Sequence, residues 1–300
     1  MRRSTFLALM AAVGVLIWGG TGFGYENTNG VGYFALQVPD PSKMVIDGLD
    51  DDWAWFDPAY IIRSEPGQMS CTLTGVLPSK DDIDIAIKVG WSEPPDNQLY
   101  VFVHVTDDTL NIDETNLDKG WKDDDLEVIT DADHSGTFHG PADGGGTRTD
   151  MQQWTFHIPT PGGYPQVAYM RYKQIPEMQW AINEGYVKAA VKVWPEAKHL
   201  ATNVTCNYEI AMPLWDYYSP DGYDASTRHI NKAHDLIGLS ITYNEADSKG
   251  RTNQISTHIN EKGAHDADYM SEFTFLPIGE YTSPIAVEPS TWGTIKSLLR

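Results

Sequence analysis

Apolar and polar residues alternate with a period of two along most of this 300-residue chain. This period places successive side chains on opposite faces of a β-strand. Clusters of Gly, Pro, Asn and Asp separate the alternating stretches and are typical of turns. The pattern predicts nine strands: Ile83–Val89, Leu99–Val105, Leu126–Thr130, Gln153–Ile158, Gln166–Tyr172, Tyr186–Val193, Thr205–Met212, Leu236–Tyr243 and Ser271–Leu276.

Helical periodicity is absent over any long segment, although Asp221–His234 has room for one short helix. Many short strands with turn signals between them predict an all-β protein, specifically an antiparallel, jelly-roll-like β-sandwich. One such domain can reach this length, so we predict a single domain over residues 40–280. A long Gly- and Asp-rich loop, His134–Thr149, interrupts it, and residues 25–39 are expected to form a leader or an edge strand.

The amino terminus has the pattern of a signal peptide. Met1-Arg2-Arg3 precedes an apolar run from Phe6 to Trp18, and small residues follow as far as Gly24. The apolar run is too short for a typical membrane-spanning helix, so residues 1–24 are interpreted as a cleaved signal, with a retained anchor as the alternative. We therefore expect a secreted, periplasmic or cell-surface bacterial protein without a transmembrane span after cleavage.

The carboxyl terminus, residues 281–300, is predicted to form a Pro-containing linker and a small basic, amphipathic tail. The tail is similar to short Trp-Gly-x-Ile-Lys endings on other exported bacterial proteins. That similarity suggests an envelope sorting or anchoring partner. A frayed terminus is the alternative.

The chain is strongly acidic, with a formal net charge of -21 from 21 Lys and Arg against 42 Asp and Glu. This excess argues against nucleic acid or an anionic membrane as a partner. It is compatible with divalent cations and with neutral ligands. The 10 Trp and 15 Tyr residues favour either a large core or aromatic stacking surfaces.

Gly120–Gly136 concentrates the candidate chemistry, because Trp121 and a run of three acids, Asp123 to Asp125, stand directly before a predicted strand. An aromatic ring can cover the apolar face of a sugar while carboxylates accept hydrogen bonds from its hydroxyls. The alternative is a core tryptophan followed by solvated acids.

Six motifs in this order resemble carbohydrate-binding module family 9 and its wider superfamily of sugar-binding β-sandwiches. They extend from Met44 to Leu276, nearly the whole mature chain. The motifs are Val45-Ile46-Asp47-Gly48 followed by Trp53, Trp91 leading to Asn97-x-Leu99-Tyr100-Val101, Val105-x-Asp107-Asp108, Trp121-x-x-Asp124-x-x-Glu127-Val128, Tyr208-Glu209-Ile210-Ala211-Met212-Pro213, and Ile237-Gly238-x-x-Ile241-x-x-Asn244.

The resemblance implies a non-catalytic β-sandwich that binds the end of a sugar chain between two tryptophans, with calcium supporting its loops. Trp121 falls on the first tryptophan, Glu127 on a polar sugar contact and Asn244 on a polar position of the same cleft. The family has an arginine on the strand that corresponds to Gln153–His157, and this sequence has none there. The family's second tryptophan is expected within Ser256–Asn260, and this segment contains no tryptophan. The candidate sugar-binding residues are Trp121, Asp124, Glu127, Trp154, His157 and Asn244, with Trp154 or a nearby Tyr as the second wall.

Asp131-x-Asp133-x-Ser135-Gly136 has the spacing of the first half of a calcium loop, in which oxygen ligands alternate before a sharp glycine turn. A backbone carbonyl, Asp143 or a distant acid would close the site. An Asx-rich turn without metal is the alternative.

The expected function is carbohydrate binding by an exported protein associated with carbohydrate catabolism. Alternatives are an envelope protein that has lost sugar binding, a glycoside hydrolase accessory, and a haem-binding relative. A glycosidase requires two carboxylates in a defined frame, and no acid stands in one. Cys71 and Cys206 can form a disulfide in an exported chain or remain buried thiols.

Overall fold

A computed structural model describes residues 31–115, 117–136, 149–158, 168–171, 176–248 and 250–281. The predicted signal peptide and the basic tail lie outside the described residues, as do Asp143 and most of the Gly- and Asp-rich loop. Among the described helices, none has the length and apolar character needed to cross a bilayer.

The described residues are organised mainly as strands, which confirms the all-β class. The strands are β1 Tyr33–Gln37, β2 Ile62–Arg63, β3 Ser70–Cys71, β4 Ile83–Trp91, β5 Leu99–Leu110, β6 Asp125–Asp131, β7 Gln152–His157, β8 Ala168–Arg171, β9 Lys188–Trp194, β10 Ala201–Met212, β11 Trp215–Tyr217, β12 Thr227–Arg228, β13 Leu236–Glu245, β14 Asn253–Ser256 and β15 Glu272–Leu276. One short α-helix, α1 Trp180–Asn183, lies between β8 and β9. Each of the nine predicted strands overlaps an observed one.

Hydrogen bonds connect the main strands in the order β8-β7-β6-β13-β15-β1-β4-β5-β10-β9. β14 pairs with β13 and β3, and β2 pairs with β4. The half of this path that contains β13 packs against the half that contains β10. Tyr208 on β10 contacts Tyr243 on β13 edge to face, with ring centroids 6.2 Å apart. Apolar side chains from both layers form one buried core. The protein is therefore a β-sandwich.

β1 corrects the expectation for residues 25–39. It is not a leader or an edge strand but lies between β15 and β4, parallel to both. Ala35 and Leu36 are both fully buried, so the strand is covered on both faces and lacks the alternation that would have revealed it. All other pairs of strands among the described residues are antiparallel, as predicted.

The structure also tests the short helix expected in Asp221–His234 and the possible disulfide between Cys71 and Cys206. The segment Asp221–His234 forms only a single 3₁₀ turn, Tyr223–Ala225, followed by β12, which pairs with β11. Cys71 on β3 and Cys206 on β10 are both buried free thiols, so no disulfide joins them.

β6 is buried on both faces, which alternation alone did not indicate. One face directs Leu126 and Val128 into the main core. The opposite face carries Asp125, Glu127 and Ile129. Ile129 packs in a small cluster, separate from the main core, with Met151, Ala264, Ala267 and Met270. The acids of this strand are therefore covered rather than solvated.

Candidate functional site

A polar face lies at the centre of the sheet formed by β7, β6 and β13. Asp125 on β6 is paired with His157 on β7 and with Asn244 on β13. Directly opposed residues in adjacent strands point to the same side of a sheet. We define the polar face by Asp125, Glu127, Gln153, His157 and Asn244, all of which are buried.

Asn244 is the central hydrogen-bonding residue of the polar face. Its amide Nδ2 donates to Oδ1 of Asp125 at 2.7 Å. Its Oδ1 accepts from Nη1 of Arg251 at 3.0 Å and from Nε2 of Gln254 at 3.1 Å. The imidazole Nδ1 of His157 lies 3.5 Å from the second carboxylate oxygen of Asp125. These contacts engage both the amide nitrogen and the amide oxygen of Asn244.

Glu127 lies two residues further along β6 on the same face. Its Oε2 accepts a hydrogen bond of 2.9 Å from Nε2 of Gln153. The strand therefore presents two carboxylates, those of Asp125 and Glu127, side by side on the polar face.

Trp121 lies in a 3₁₀ segment, Leu117–Lys122, immediately before β6. Its indole is half-buried, and the guanidinium carbon of Arg251 lies 5.1 Å from the ring centroid. The ammonium of Lys122 lies 5.8 Å from the same ring. Because Arg251 also donates to Asn244, it connects the aromatic ring to the polar face.

Gly120 brings the Trp121 segment close to the sheet. A Cβ atom at this position would lie 2.1 Å from Cε1 of His157. Only glycine permits this approach, so the backbone before Trp121 rests directly on the imidazole of His157.

Arg251 is a candidate site residue that the sequence did not reveal, because it contacts both Trp121 and Asn244. It stands in the turn between β13 and β14, where no periodicity distinguishes it from a solvated residue. Asn244 on β13 pairs with Gln254 on β14, and this pairing places Arg251, in the turn between the two strands, near Trp121.

Trp154 is not available as a second aromatic wall, which corrects the expectation. It alternates with Gln153 and Thr155 on β7 and therefore points to the core side of the sheet. Its side chain is fully buried, and its ring meets that of Tyr218 edge to face at 5.6 Å.

Asp124 is likewise absent from the polar face. Its Oδ1 accepts the backbone N–H of Ala246 at 2.8 Å, and its Oδ2 accepts that of Asn111. The carboxyl is fully buried, and burial followed by the nearby Asp107 raises its pKa. The geometry gives Asp124 a structural role, holding the end of β13 against the end of β5.

The segment expected to hold a second tryptophan, Ser256–Asn260, contains a buried histidine, His258, near its middle. Its Nδ1 lies 2.8 Å from Oγ of Ser256. A Cβ at Gly263 would lie 2.5 Å from the imidazole, so the chain packs tightly over the ring. Burial lowers the pKa of His258 to about 3, and the ring is neutral at neutral pH.

The candidate calcium loop folds around Asp131. Its Oδ2 accepts the backbone N–H of Gly136 at 3.0 Å, and its Oδ1 accepts that of Ser135 at 3.4 Å. Asp133 is exposed and also accepts the Ser135 N–H, at 3.2 Å. Burial, followed by Asp133, raises the pKa of Asp131 to about 8. These are the hydrogen bonds of an Asx turn, and the fourth candidate ligand, Asp143, is outside the described residues.

A separate groove of about 520 Å³ opens near the amino-terminal end of the described chain. Its lining includes the half-buried Trp55 together with Asp40, Asp47, Asp51 and Asp52. An aromatic side chain beside carboxylates occurs here as well, so this groove competes with the Trp121 region as a place for a sugar.

Comparison with known proteins agrees with this architecture. Residues 46–160, which include the Trp121 segment, β6 and β7, match the family described as carbohydrate family 9 binding domain-like. No curated protein sequence matches the chain.

Two solved structures of a carbohydrate binding module family 9 from Caldicellulosiruptor kristjanssonii have a similar fold. The complex with cellotriose has 16% sequence identity and a TM-score of 0.52, and the match covers 86% of this chain and 98% of that one. The complex with glucose has 15% identity and a TM-score of 0.51, covering 85% and 99%. The family match therefore covers the Trp121 segment, β6 and β7, and the two solved structures share the fold of the sandwich.

Proposed function

We propose that this protein is an exported, non-catalytic carbohydrate-binding protein in which Trp121 is the platform for a sugar ring. The observation that carries the proposal is the direct connection of Trp121 through Arg251 to Asn244 and Asp125. A half-exposed ring thus borders donors and acceptors whose directions are already fixed. Preorganised polar groups of this kind give specificity in ligand sites.

In the proposed complex the apolar face of the sugar lies on the indole of Trp121. The guanidinium of Arg251 donates to sugar hydroxyls, and it supplies from the β13–β14 turn the arginine that the family pattern places on another strand. Asp125 and Glu127 accept hydrogen bonds from hydroxyl groups. Since Asp125 and Glu127 are buried without a ligand, a sugar hydroxyl reaches them only after the side chains that cover them move.

Calcium, export and a role in carbohydrate catabolism complete the proposal. The turn around Asp131, Asp133 and Ser135, with Asp143 as a fourth ligand, would hold a calcium ion. Supporting this, a Cβ at Gly136 would lie 2.6 Å from the carboxylate of Asp268, so a further acid approaches the turn. The amino-terminal signal pattern supports export, and the basic tail supports attachment to the cell envelope.

The test is calorimetric titration of residues 25–300 with cellotriose and with glucose, the sugars held by the two structural neighbours. Trp121→Ala should weaken binding by roughly tenfold, the loss of about 1–2 kcal/mol from a stacked ring. Trp194→Ala, at an exposed tryptophan on β9, is the matched control and should bind normally. Equal affinity in wild type and Trp121→Ala, with loss of binding in Trp55→Ala, would place the sugar in the other groove.

A second candidate function is that of an envelope β-sandwich that no longer binds sugar. The complete burial of Asp125, Glu127 and Asn244 favours it, because Asn244 already donates to Asp125 and Gln153 already donates to Glu127. A glycan array showing no ligand for the mature chain, with a folded protein by circular dichroism, would select this alternative.

A further inference from the structure

The groove beside Trp55 lies on the outside of the layer that contains β4, β5 and β10. On β5, Val101 and Val103 belong to the main core, so Phe102 between them points to the outer side of this layer. There Phe102 is part of an apolar cluster separate from the main core, and Trp55 packs against that cluster. Because Trp55 also lines the groove, the groove opens on this outer side.

The polar face beside Trp121 lies on the outside of the other layer. On β6, Leu126 and Val128 belong to the main core, and Asp125 and Glu127 alternate with them. Since the two layers share one core, their outer sides face in opposite directions. The groove and the polar face are therefore on opposite sides of the sandwich, and one sugar ring cannot contact both.

Neighbouring aromatic rings hold Trp55 in place. The ring of Trp53 is stacked beside it, with centroids 5.8 Å apart and planes inclined by 21°. Phe56 meets the ring edge to face at 5.6 Å, and the ring of Tyr281 lies 6.4 Å away. A side chain that is already ordered loses little conformational entropy when a ligand binds to it. Trp55 is therefore a preorganised aromatic wall of the groove.

Two polar atoms of groove-lining side chains have no hydrogen-bond partner among the described residues. They are Oδ1 of Asp52 and the indole Nε1 of Trp55, and both atoms are buried. The other oxygen of Asp52, Oδ2, accepts the backbone N–H of Val45 at 2.7 Å, which orients the carboxylate. A hydroxyl group both donates and accepts, so hydroxyls can satisfy an unpaired carboxylate oxygen and an unpaired indole N–H.

The charge of the lining restricts the ligand further. Four aspartates and a single basic residue line the groove: Asp40, Asp47, Asp51, Asp52 and Lys43. The ammonium of Lys43 pairs with Asp40 at 3.1 Å. Burial raises the pKa of Asp52, and the carboxylates of Asp51 and Asp47 raise it further. The lining therefore disfavours an anion and offers acceptors to a ligand that carries hydroxyl donors, while Lys43 disfavours a cation.

We propose that this groove is a second carbohydrate site, which takes a neutral sugar ring against Trp55 independently of Trp121. The sugar's apolar face lies on the indole, and its hydroxyls donate to the aspartates. The groove volume of about 520 Å³ suits this ligand, because small-molecule sites measure roughly 300–1,000 Å³. A protein with both sites would hold two glycan chains on opposite sides, a consequence that rests on the proposed function of Trp121.

The experiment is calorimetric titration of residues 25–300 with cellotriose, xylotriose and mannotriose, three neutral probes. Ala54→Arg places a long side chain at an exposed position of the groove lining. It should reduce the stoichiometry from two sugars per chain to one, and Trp121→Ala should weaken only the site that Ala54→Arg leaves. Val76→Arg is the matched control for an added arginine, because Val76 is 72% exposed and lies outside the groove lining.

Trp55→Ala, the second variant, should weaken the groove site by about tenfold through loss of the stacked ring. Ala54→Arg should melt like wild type, so the test remains valid if Trp55→Ala unfolds after losing its contact with Trp53. The proposal is overturned if no probe sugar binds at millimolar concentration, or if Ala54→Arg leaves sugar binding unchanged. It is also overturned if spermidine, and no sugar, binds in a manner that Ala54→Arg blocks.

Failure of the groove site and failure of the Trp121 site give different results. One sugar per chain that is lost in Ala54→Arg and insensitive to Trp121→Ala would support the groove site and contradict the proposed role of Trp121. One sugar per chain that depends on Trp121 and not on Ala54→Arg would do the reverse.

Discussion

The indole Nε1 of Trp53 donates a hydrogen bond of 2.9 Å to Oε1 of Glu209, a residue 156 positions later in the chain. The other carboxylate oxygen accepts the backbone N–H groups of Asp47 and Gly48, each at 2.8 Å. One buried carboxylate on β10 thus holds both the turn and the tryptophan of the amino-terminal motif. The two sequence motifs that contain these residues therefore occur together for a structural reason, independent of sugar binding.

Glu209→Ala should lower the free energy of unfolding by about 3 kcal/mol or more, because two buried donors and one partly buried donor lose their acceptor, at about 1–3 kcal/mol for each buried one. Glu209→Gln keeps one oxygen and should lose less. Urea unfolding followed by tryptophan fluorescence measures both, with Glu196→Ala at an exposed position of the same sheet edge as the control. A change below about 0.5 kcal/mol for Glu209→Ala, the range of ordinary surface substitutions, would show that Glu209 does not hold this segment.

The sandwich could be predicted from sequence because most of β4 and the second half of β5 alternate between buried and more exposed residues. The face to which a given side chain points could not be predicted so well. The sequence predicts Trp154 on the ligand side, yet its position on β7 directs it into the core. β1 was missed because both of its faces are covered, which removes alternation. Arg251 was missed because a turn residue acquires its neighbours only through strand pairing.

Arg251→Ala should weaken sugar binding by about tenfold if the guanidinium donates to the ligand, because a charged hydrogen bond contributes about 1.5–3 kcal/mol. Arg251→Lys should recover only part of the loss, since an ammonium lacks the planar fork. Calorimetry with cellotriose measures both variants. Arg63→Ala on β2 is a matched control for removal of one positive charge. Affinity that depends equally on Arg63 and Arg251 would indicate a general charge effect and remove Arg251 from the site.

Gly120→Ala should displace the Trp121 segment, because its Cβ would lie 2.1 Å from the buried ring of His157. Overpacking of this kind costs about 1–3 kcal/mol of stability. We expect a lower melting temperature and weaker sugar binding together, measured by calorimetry and thermal unfolding. Gly32→Ala is the control, because no atom lies within 4 Å of its added Cβ. Wild-type stability and affinity in Gly120→Ala would mean that the segment does not rest on His157.

The buried imidazole of His258 should make the protein less stable in mild acid. Burial, with a smaller contribution from His265, lowers its folded-state pKa to about 3, whereas the unfolded chain keeps the ordinary value of about 6.5. As the pH falls below about 6.5 the unfolded chain takes up a proton that the folded protein does not. The free energy of unfolding therefore decreases toward acid, by up to about 1.4 kcal/mol per pH unit, and is fully retained above about pH 7.

His258→Asn removes this titration while keeping an amide near the hydroxyl of Ser256. The variant should be less stable than wild type at pH 7, because the ring leaves a cavity. The difference in the free energy of unfolding between wild type and His258→Asn should shrink by about 2 kcal/mol from pH 7 to pH 5. Only wild type loses the stability that comes from the neutral buried histidine. Urea unfolding at pH 5, 6 and 7 measures it, and the acidic groups common to both proteins cancel. A difference between wild type and His258→Asn that is constant with pH would mean that His258 is protonated in the folded protein as readily as in the unfolded chain.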